Sequence, residues 1–288
     1  MKKLIDYIKE AEKKKIAIGH FNVSDTEGLW AVFRAAKNLN VPVIIGVSEG
    51  ERDFIGVKQI RALVTSLREE FDYPIFLNAD HTYSLERVKE VVDAGFDAVI
   101  FDGSQLPLLE NIKITRQCVN YAKSKNSGIL VEGELGYIGK SSEMLDTLPA
   151  GAEVDISTIT KVSEAKRFVL ESGVDLFSPA VGNIHGMLKN APDPRLHIDR
   201  IREIYKACDV PLVLHGGSGI VDEDFTAAVA AGVAIVHINT ELRLAYRTGL
   251  RKSLQGDLEE VAPYKFMKEP VINMQQVVEK RLKLFNGL

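Results

Sequence analysis

The chain has 288 residues, of which 45% are hydrophobic and 26% charged, and its formal net charge is −4. This balance is typical of a globular protein and excludes the strongly basic surface expected for binding nucleic acid or a membrane surface. No window is apolar enough to span a bilayer. Both cysteines, Cys118 and Cys208, lie in helical patterns without metal or redox spacing, so we expect reduced thiols in a cytoplasmic protein.

The first predicted element is a charged amphipathic helix over residues 2–14, and eight short apolar strands then alternate with helical patterns. The strands are predicted to end at His20-Phe21-Asn22, Gly46-Val47-Ser48, Asn78-Ala79-Asp80, Phe101-Asp102-Gly103, Glu132-Gly133-Glu134, Ala180-Val181-Gly182, His215-Gly216-Gly217 and His237-Ile238-Asn239. Eight β-then-α units indicate an α/β protein, a (β/α)8 TIM barrel that forms one domain over residues 1–288. A doubly wound open sheet is the alternative, but no glycine-rich dinucleotide fingerprint follows the first strand.

Residues 136–160 form a long interruption between the fifth strand and its helix. A loop of this length in a compact domain is usually a lid or a binding loop. The chain is predicted to close with a C-terminal helical extension, with helices at roughly 240–254 and 270–285 separated by a segment that contains Pro263 and Lys268.

An acid and an imidazole, Asp80 and His81, are adjacent where the third strand is predicted to end. Active sites of parallel α/β barrels are built at this edge, from the loops that follow the strands. An aspartate in this position can also simply cap the next helix, so the pair alone does not decide between a catalytic and a structural role.

Five of the six histidines, His20, His81, His185, His215 and His237, fall at or just beyond predicted strand ends. Any one of them can be a packed or capping histidine, but packing alone does not explain their concentration at one edge. Imidazoles that converge with a carboxylate suit a divalent ion such as zinc. The residues that a barrel can bring together for this purpose are His81, Glu134, His185 and His215.

Two loops at predicted strand ends are rich in glycine, at residues 182–186 and 215–219. Such loops let backbone N–H groups approach an anion, and the loops after the last two strands of a barrel commonly bind phosphate. An ordinary glycine-rich turn is the alternative for either loop. None of the predicted strand ends carries a lysine, so activation of a carbonyl is better assigned to a metal than to a Schiff base.

Taken in order, these motifs resemble the class II, metal-dependent fructose-bisphosphate and tagatose-bisphosphate aldolases. The resemblance extends over nearly the whole chain and is carried by Phe21-Asn22-Val23, Val47-Ser48-Glu49-Gly50, Asp80-His81, Asp102-Gly103-Ser104, Glu132-Gly133-Glu134-Leu135-Gly136, Gly182-Asn183-Ile184-His185-Gly186 and Leu214-His215-Gly216-Gly217-Ser218-Gly219.

The resemblance implies zinc or another divalent transition metal on His81, His185 and His215, with Glu134 as a nearby or alternative ligand, and it allows a monovalent cation. It implies Asp80 as the proton-transfer residue at the C4 oxygen of a phosphorylated ketose, and Asp102 as a hydrogen-bond partner behind the metal ligands. The residues implied to contact the substrate or its phosphate groups are Asn22, Ser48, Gly186, Gly216, Ser218, His237, Asn239, Thr240 and Lys268. A homo-oligomer, either a dimer or a tetramer, is also implied.

The sequence departs from the family pattern at several positions. Asn78 replaces a histidine that is not a metal ligand, and His237 replaces an asparagine that normally contacts the substrate. In the lid only Glu143 is available as the acid that removes a proton from the ketone half. The expected activity is aldol cleavage of a ketose bisphosphate, with fructose 1,6-bisphosphate first, and tagatose bisphosphate or another phosphorylated ketose as alternatives. A non-catalytic sugar-phosphate-binding barrel is a further alternative, but it would need neither Asp80 nor a metal-ligand set.

Overall fold

The structure is a computed structural model, and it describes residues 2–140 and 142–288. Within these ranges the chain forms ten strands: β1 (Ile18–Asn22), β2 (Val43–Val47), β3 (Ile75–Thr82), β4 (Ala98–Phe101), β5 (Leu130–Leu135), β6 (Met144–Leu145), β7 (Leu176–Pro179), β8 (Met187–Leu188), β9 (Leu212–Leu214) and β10 (Val233–Ile238).

The helices of the same ranges are α1 (Leu4–Lys14), α2 (Thr26–Leu39), α3 (Glu49–Ile55), α4 (Val57–Phe71), α5 (Leu85–Asp93), α6 (Leu108–Lys125), α7 (Val162–Ser172), α8 (Ile198–Ala207), α9 (Asp222–Ala231), α10 (Thr240–Gly256), α11 (Pro263–Phe266) and α12 (Lys268–Asn286). None of these helices is both long and apolar enough to cross a membrane.

Eight of the strands form a closed parallel barrel in the order β1-β10-β9-β7-β5-β4-β3-β2. The first strand closes the barrel because it pairs with both β10 and β2, which places His20 level with His237 on one side and Ile44 on the other. Helices lie between successive strands, so the predicted (β/α)8 barrel is confirmed and the open-sheet alternative is wrong.

The N-terminal helix covers the end of the barrel where the strands begin. Its buried residues Leu4, Ile8 and Ala11 pack in one cluster with side chains from the first part of every barrel strand. These side chains are Ile18, Ile44, Phe76, Ala98, Leu130, Leu176, Val213 and Ala234. The opposite end, where the strands finish, is therefore the open end.

We call the cluster formed by α1 and the first strand residues the plug. Side chains alternate between the two faces of each strand, and this separates the plug from the larger core. In β3, Ile75 and Leu77 belong to the cluster between the strands and the helices, where they join Val88 and Val91 of α5. Phe76, which lies between them, belongs to the cluster under the barrel. Successive strand residues face opposite sides, so the even-numbered positions of β3 point into the barrel.

The third strand does not end at Asp80 as predicted but continues to Thr82. Its pairing with β4 shifts register between Ala79 and Thr82, which indicates a bulge of one extra residue. In a regular strand Asp80 and His81 would point to opposite faces. The bulge and the positive φ of 24° at His81 instead bring both side chains to the open end of the barrel. A non-glycine residue in this conformation is strained, as is common at functional sites.

Other predicted strand ends also move. The strands β4, β7 and β9 finish at Phe101, Pro179 and Leu214, so Asp102, Gly182 and His215 lie in the loops that follow. The long loop at 136–160 is not wholly irregular, because it contains β6, which pairs in parallel with β8 as a separate two-stranded sheet. Ser141, which belongs to this loop, lies outside the described residues.

Candidate active site

Three imidazoles meet at the open end, one from the end of β3 and two from the loops that follow β7 and β9. One ring nitrogen of each of His81, His185 and His215 lies within 4.8 Å of one nitrogen of the others. Nε2 of His81 and Nδ1 of His215 lie 3.1 Å apart. The His81 ring is nearly perpendicular to each of the other two, with interplanar angles of 80° and 79°. Rings in this arrangement can direct their in-plane lone pairs toward one point.

Each of these histidines is oriented by a partner on its other nitrogen. Nδ1 of His81 lies 3.0 Å from Oδ2 of Asp102, and Nδ1 of His185 lies 2.7 Å from the backbone oxygen of Gly139. Both oxygens accept, so in each ring Nδ1 carries a proton and Nε2 is the nitrogen left for a cation. A metal-ligating histidine usually donates its second N–H to a carboxylate or a carbonyl in this way. The predicted role of Asp102 is consistent with this geometry.

The third histidine is held by a carboxylate to which the sequence analysis gave no role. Nε2 of His215 lies 2.7 Å from Oε1 of Glu132, and both side chains are about 1% exposed. Glu132 and Glu134 both point into the barrel because Gly133 faces outward, where a side chain would lie 2.6 Å from the ring of Phe168. The alternation Glu-Gly-Glu in β5 was the signal that both acids share the inner face.

The residues present fit a divalent metal ion. Two nitrogen ligands of a tetrahedral zinc ion lie roughly 3.3 Å apart, since each zinc–nitrogen bond is about 2.0 Å long. The 3.1 Å between the facing nitrogens of His81 and His215 is close to this value. Glu134 is buried, its Oε2 lies 3.5 Å from Nδ1 of His81, and that oxygen has no hydrogen-bond partner among the described residues. An orphaned buried carboxylate oxygen beside the imidazole of His81 is what a cation would satisfy.

Burial and neighbouring charges set the protonation of this cluster. Burial lowers the pKa of His185 to about 3, so its imidazole is neutral at neutral pH. Burial, together with the nearby charge of Asp102, raises the pKa of Glu134 to about 8. Burial also lowers the pKa of His81 and His215, but neighbouring carboxylates, Asp80 for His81 and Glu132 for His215, outweigh it and raise both above the usual value. Cation binding would therefore displace protons from the groups whose pKa is raised, namely Glu134, His81 and His215.

Asp80 presents one free carboxylate oxygen beside the three histidines. Its Oδ2 accepts a hydrogen bond of 2.8 Å from Nδ2 of Asn22. Its Oδ1 lies 3.8 Å from Nε2 of His81 and 3.5 Å from Nδ1 of His237, and within the described chain it has no hydrogen-bond partner. Burial raises the pKa of Asp80, but the charge of His81 outweighs it, and the pKa lies well below the usual value. This carboxylate can accept a proton from a group placed in the barrel opening.

A second histidine cluster does not fit a metal. His20 and His237 stack with ring centroids 3.5 Å apart and an interplanar angle of 6°, and His237 stacks in turn on His215 at 4.0 Å. Lone pairs of two parallel rings lie in parallel planes and cannot converge on one ion between them. The stack instead fixes the imidazole of His237 beside the opening. The His237 ring therefore lies in the site at the position where the family pattern has an asparagine.

These side chains surround a narrow cleft at the open end of the barrel. Most of the residues predicted from the sequence line it. The lining residues are Asn22, Asp80, His81, Ser142, His185, Gly186, His215, Gly216, Gly217, Ser218, His237, Asn239 and Thr240.

One wall of the cleft is formed by the glycine-rich loops and the start of α10. Gly216 has a φ of 59°, and a side chain there would collide with the carbonyl oxygen of Ile184 in the neighbouring loop. The hydroxyl oxygen of Ser218 accepts from the backbone N–H groups of Asn239 and Glu241, at 3.3 and 3.2 Å, and so caps α10. A helix N-terminus beside close-packed glycines suits an anionic group such as phosphate.

Comparison with known proteins agrees with this geometry. The family model described as class-II fructose-bisphosphate aldolase matches residues 2–287. The chain belongs to the class II fructose-bisphosphate aldolase family. It is therefore an enzyme of the aldehyde-lyase type, in a family that is generally metal-dependent and binds small sugar phosphates, and the resemblance inferred from the sequence is confirmed.

Relatives in this aldolase family differ in their substrates. A 6-phospho-5-dehydro-2-deoxy-D-gluconate aldolase of Shouchella clausii is 36% identical, over 96% of this chain and 92% of the relative. A fructose-bisphosphate aldolase of Geobacillus stearothermophilus is 34% identical, over 91% of this chain and 88% of the relative. The crystal structure of the YdjI aldolase of Escherichia coli K12 superposes with a TM-score of 0.81 at 27% identity, covering 99% of this chain and 96% of that one.

Three residues predicted for the aldolase site lie away from the cleft. Ser48 precedes α3, where its side chain and that of Glu51 form a capping box. Glu143 is exposed and lines a neighbouring groove with Lys189. Lys268 begins α12 and lines a separate groove against Trp30 of α2, so it does not face the cleft. Within this chain, the described geometry does not bring these three side chains to the imidazole cluster.

Sequence reasoning also missed Arg52, which supports the aldolase site from behind. Arg52 is about 1% exposed and donates to the backbone oxygens of Val47 and Asp80 and to the hydroxyl of Thr82. It thereby ties the end of β2 to the bulged end of β3. The sequence Glu51-Arg52 reads as an ordinary charged turn of a helix, and only the fold shows that both side chains point inward.

Proposed function

We propose that this single-domain barrel cleaves a phosphorylated ketose reversibly between C3 and C4, giving dihydroxyacetone phosphate and an aldehyde, with zinc or another divalent transition metal bound. The observation that carries the proposal is the free Oδ1 of Asp80 beside the nitrogens of His81, His185 and His215. A proton acceptor next to a metal-ligand set is the combination that an aldol reaction without a Schiff base requires.

The residues that would hold the metal are His81, His185 and His215, with Glu134 beside them. When bound, the ion supplies Lewis acidity at the carbonyl oxygen of the ketone half. Asp80 takes the proton of the C4 hydroxyl during cleavage and returns it during condensation. Because Asp80 is only 3% exposed, bulk water does not compete for its free oxygen.

The phosphate of the ketone half is assigned to the wall formed by Gly186, Gly216, Ser218 and Thr240, which line one cleft. Small residues and a helix N-terminus supply neutral donors there without a bulky side chain. We assign the exchange of the proton on C3 of the ketone half to the carboxylate of Glu143. Its neighbour in the chain, Ser142, lines the cleft. His237 is the alternative acceptor, since it already lies in the cleft.

Fructose 1,6-bisphosphate is the first candidate substrate, and tagatose 1,6-bisphosphate or another phosphorylated ketose is the alternative. The relatives named for fructose bisphosphate support the first candidate, whereas others are named for 6-phospho-5-dehydro-2-deoxy-D-gluconate, a phosphorylated keto acid. A non-catalytic sugar-phosphate-binding barrel is disfavoured, since a binder has no use for the free carboxylate oxygen of Asp80 beside a metal-ligand set.

A panel of phosphorylated ketoses, assayed with metal-reconstituted protein, tests the proposal. We expect dihydroxyacetone phosphate from at least one member, detected with a coupled dehydrogenase. Adding sodium or potassium salts to the same assay tests for a contribution from a monovalent cation. Tight binding of several members without any cleavage would support the binding protein and sink the enzyme.

We also propose a cytoplasmic homo-oligomer, either a dimer or a tetramer. Large apolar side chains are exposed between α10 and α12, where Leu258, Val261 and Tyr264 are 82%, 84% and 72% exposed. Such a patch favours contact with another protein surface. Sedimentation of the purified protein at several concentrations tests this, and a monomer at all of them would contradict it.

A further inference from the structure

Asn22 lies between two buried carboxylates rather than facing the cleft with free donors. Its Nδ2 atom donates to Oδ2 of Asp80 and to Oε2 of Glu51, both at 2.8 Å. An amide nitrogen carries two hydrogens, so both are used. The expected contact of Asn22 with the substrate is therefore limited to its carbonyl oxygen, while its amide nitrogen is committed to Asp80.

Glu51 is itself fixed from two further directions. The backbone N–H of Ser48 donates to its Oε2 at 2.7 Å, and Nη2 of Arg243 lies 2.7 Å from its Oε1. The Glu51 side chain is only 8% exposed, whereas that of Arg243 is 48% exposed. A carboxylate at such a buried position needs a paired cation to offset the loss of hydration. Arg243 on α10 provides this cation from the surface.

We infer that Glu51, held by Arg243, positions Asp80 through Asn22. Without Glu51 the amide of Asn22 is free to rotate, and Asp80 loses the fixed donor that holds its Oδ2 and leaves its Oδ1 toward the cleft. Glu51 and Arg243 are thus positioning residues, and neither touches the reacting atoms. The inference rests on the proposed role of Asp80 in proton transfer.

The same arginine contacts the loop that follows β5. Nη1 of Arg243 donates to the backbone oxygen of Ser142 at 3.1 Å, and Nδ2 of Asn239 donates to the Ser142 hydroxyl at 3.3 Å. Ser142 lines the cleft. One guanidinium therefore joins this loop to the chain of hydrogen bonds that ends at Asp80, so the position of the loop and the orientation of Asp80 are linked.

The test uses Glu51→Gln in the metal-loaded full chain. A glutamine would set an amide N–H against the N–H of Ser48 or the guanidinium of Arg243, so one hydrogen bond becomes a repulsive contact. We expect kcat for aldol cleavage to fall by up to about 100-fold, as for a misplaced catalytic group, while KM changes little. Proton exchange from dihydroxyacetone phosphate should persist, because it does not need Asp80.

A double-mutant cycle separates positioning from general damage. In the Asp80→Asn background, Glu51→Gln should cause no further loss, because the group that it positions is already gone. Equal loss in both backgrounds, or an unchanged kcat in the wild-type background, overturns the inference. Failure of the proposed function is distinct, since the wild-type protein would then cleave no phosphorylated ketose at all.

Two further measurements do not depend on Glu51→Gln being active. Arg243→Gln should lower kcat in the same sense, with Arg247→Gln, one turn further along α10, as the control that leaves it unchanged. Asp53→Asn is the matched surface control on α3. A crystal structure of metal-free Glu51→Gln should show Asn22 turned away from Asp80; retention of their 2.8 Å contact overturns the inference.

Discussion

Glu132 holds His215 inside the barrel through a 2.7 Å contact between Oε1 and Nε2, with both side chains about 1% exposed. The carboxylate holds a proton on Nε2 of His215, so Nδ1 is the nitrogen that faces His81 and is left for a cation. A ligand oriented in this way before metal arrives loses little freedom on binding. We therefore expect Glu132 to contribute to metal affinity without being a ligand.

Replacing Glu132 by glutamine should weaken divalent-metal binding by about 10-fold to 100-fold, the usual effect of losing such a partner. The amide oxygen of glutamine accepts less strongly from Nε2–H of His215 than a carboxylate does. If the amide nitrogen faces His215 instead, it donates to Nε2 and moves the proton of the ring to Nδ1. Competition with a chromophoric chelator measures the affinity. Glu110→Gln on the surface of α6 is the control, and an affinity equal to wild type in Glu132→Gln would contradict the assignment.

Removing the metal should abolish aldol cleavage. The three imidazoles are available for a cation, and among the residues that the structure describes no lysine or arginine lines the cleft. Dialysis against a chelator should give inactive protein, and zinc or cobalt should restore the activity. Borohydride added together with substrate should trap no covalent adduct. Full activity of metal-free protein, or a trapped lysine, would show that the chemistry is that of a Schiff base.

Metal affinity should fall as the pH is lowered. In the metal-free protein the pKa values of His81 and His215 are raised above the usual value, because nearby carboxylates outweigh the effect of burial. Protons therefore compete with the cation once the pH drops below those raised values, and binding releases them. Titration calorimetry in buffers of different ionisation enthalpy measures the release. Binding without proton release would mean that other atoms hold the metal.

Substitution of two acids should separate the two proton transfers. Asp80→Asn should reduce carbon–carbon cleavage by about 10²–10⁴-fold, the usual contribution of an acid–base group, while the metal stays bound. Glu143→Gln should instead suppress exchange of a proton from dihydroxyacetone phosphate into deuterated solvent, followed by NMR. If Glu143→Gln exchanges normally, His237 becomes the better candidate. If Asp80→Asn loses both exchange and metal, Asp80 is structural.

We expect the plug under the barrel to contribute to the free energy of unfolding without affecting kcat. Ile8 of α1 is fully buried among the first residues of the strands. Ile8→Ala should lower the free energy of unfolding by about 2–5 kcal/mol, as for other large-to-small core changes. Denaturant titration measures this, with the partly buried Ile5→Ala as a milder comparison. A kcat that falls along with stability would show that the two ends of the barrel are coupled.

The fold was largely predictable because apolar strand patterns recur eight times with helical patterns between them. The histidines at strand ends and Asp80 were predictable for the same reason, since the barrel collects strand ends at one edge. The bulge was not predictable, because no feature of the sequence around His81 indicates the shift in pairing register between β3 and β4. Glu51 and Arg243 were also out of reach, since their contact joins positions far apart in the chain whose geometry only the closed barrel sets.

The helix under the barrel has a further consequence for how such enzymes diverge. Because α1 and the first residues of the strands form a hydrophobic cluster apart from the cleft, the loops at the other end can change with little loss of folding free energy. Relatives at 32–36% identity are named for different phosphorylated substrates. A lineage that keeps this plug and the three imidazoles can drift to a new sugar by altering loops alone. Exchange of substrates by grafting loops between such relatives should therefore be a practical route for engineering.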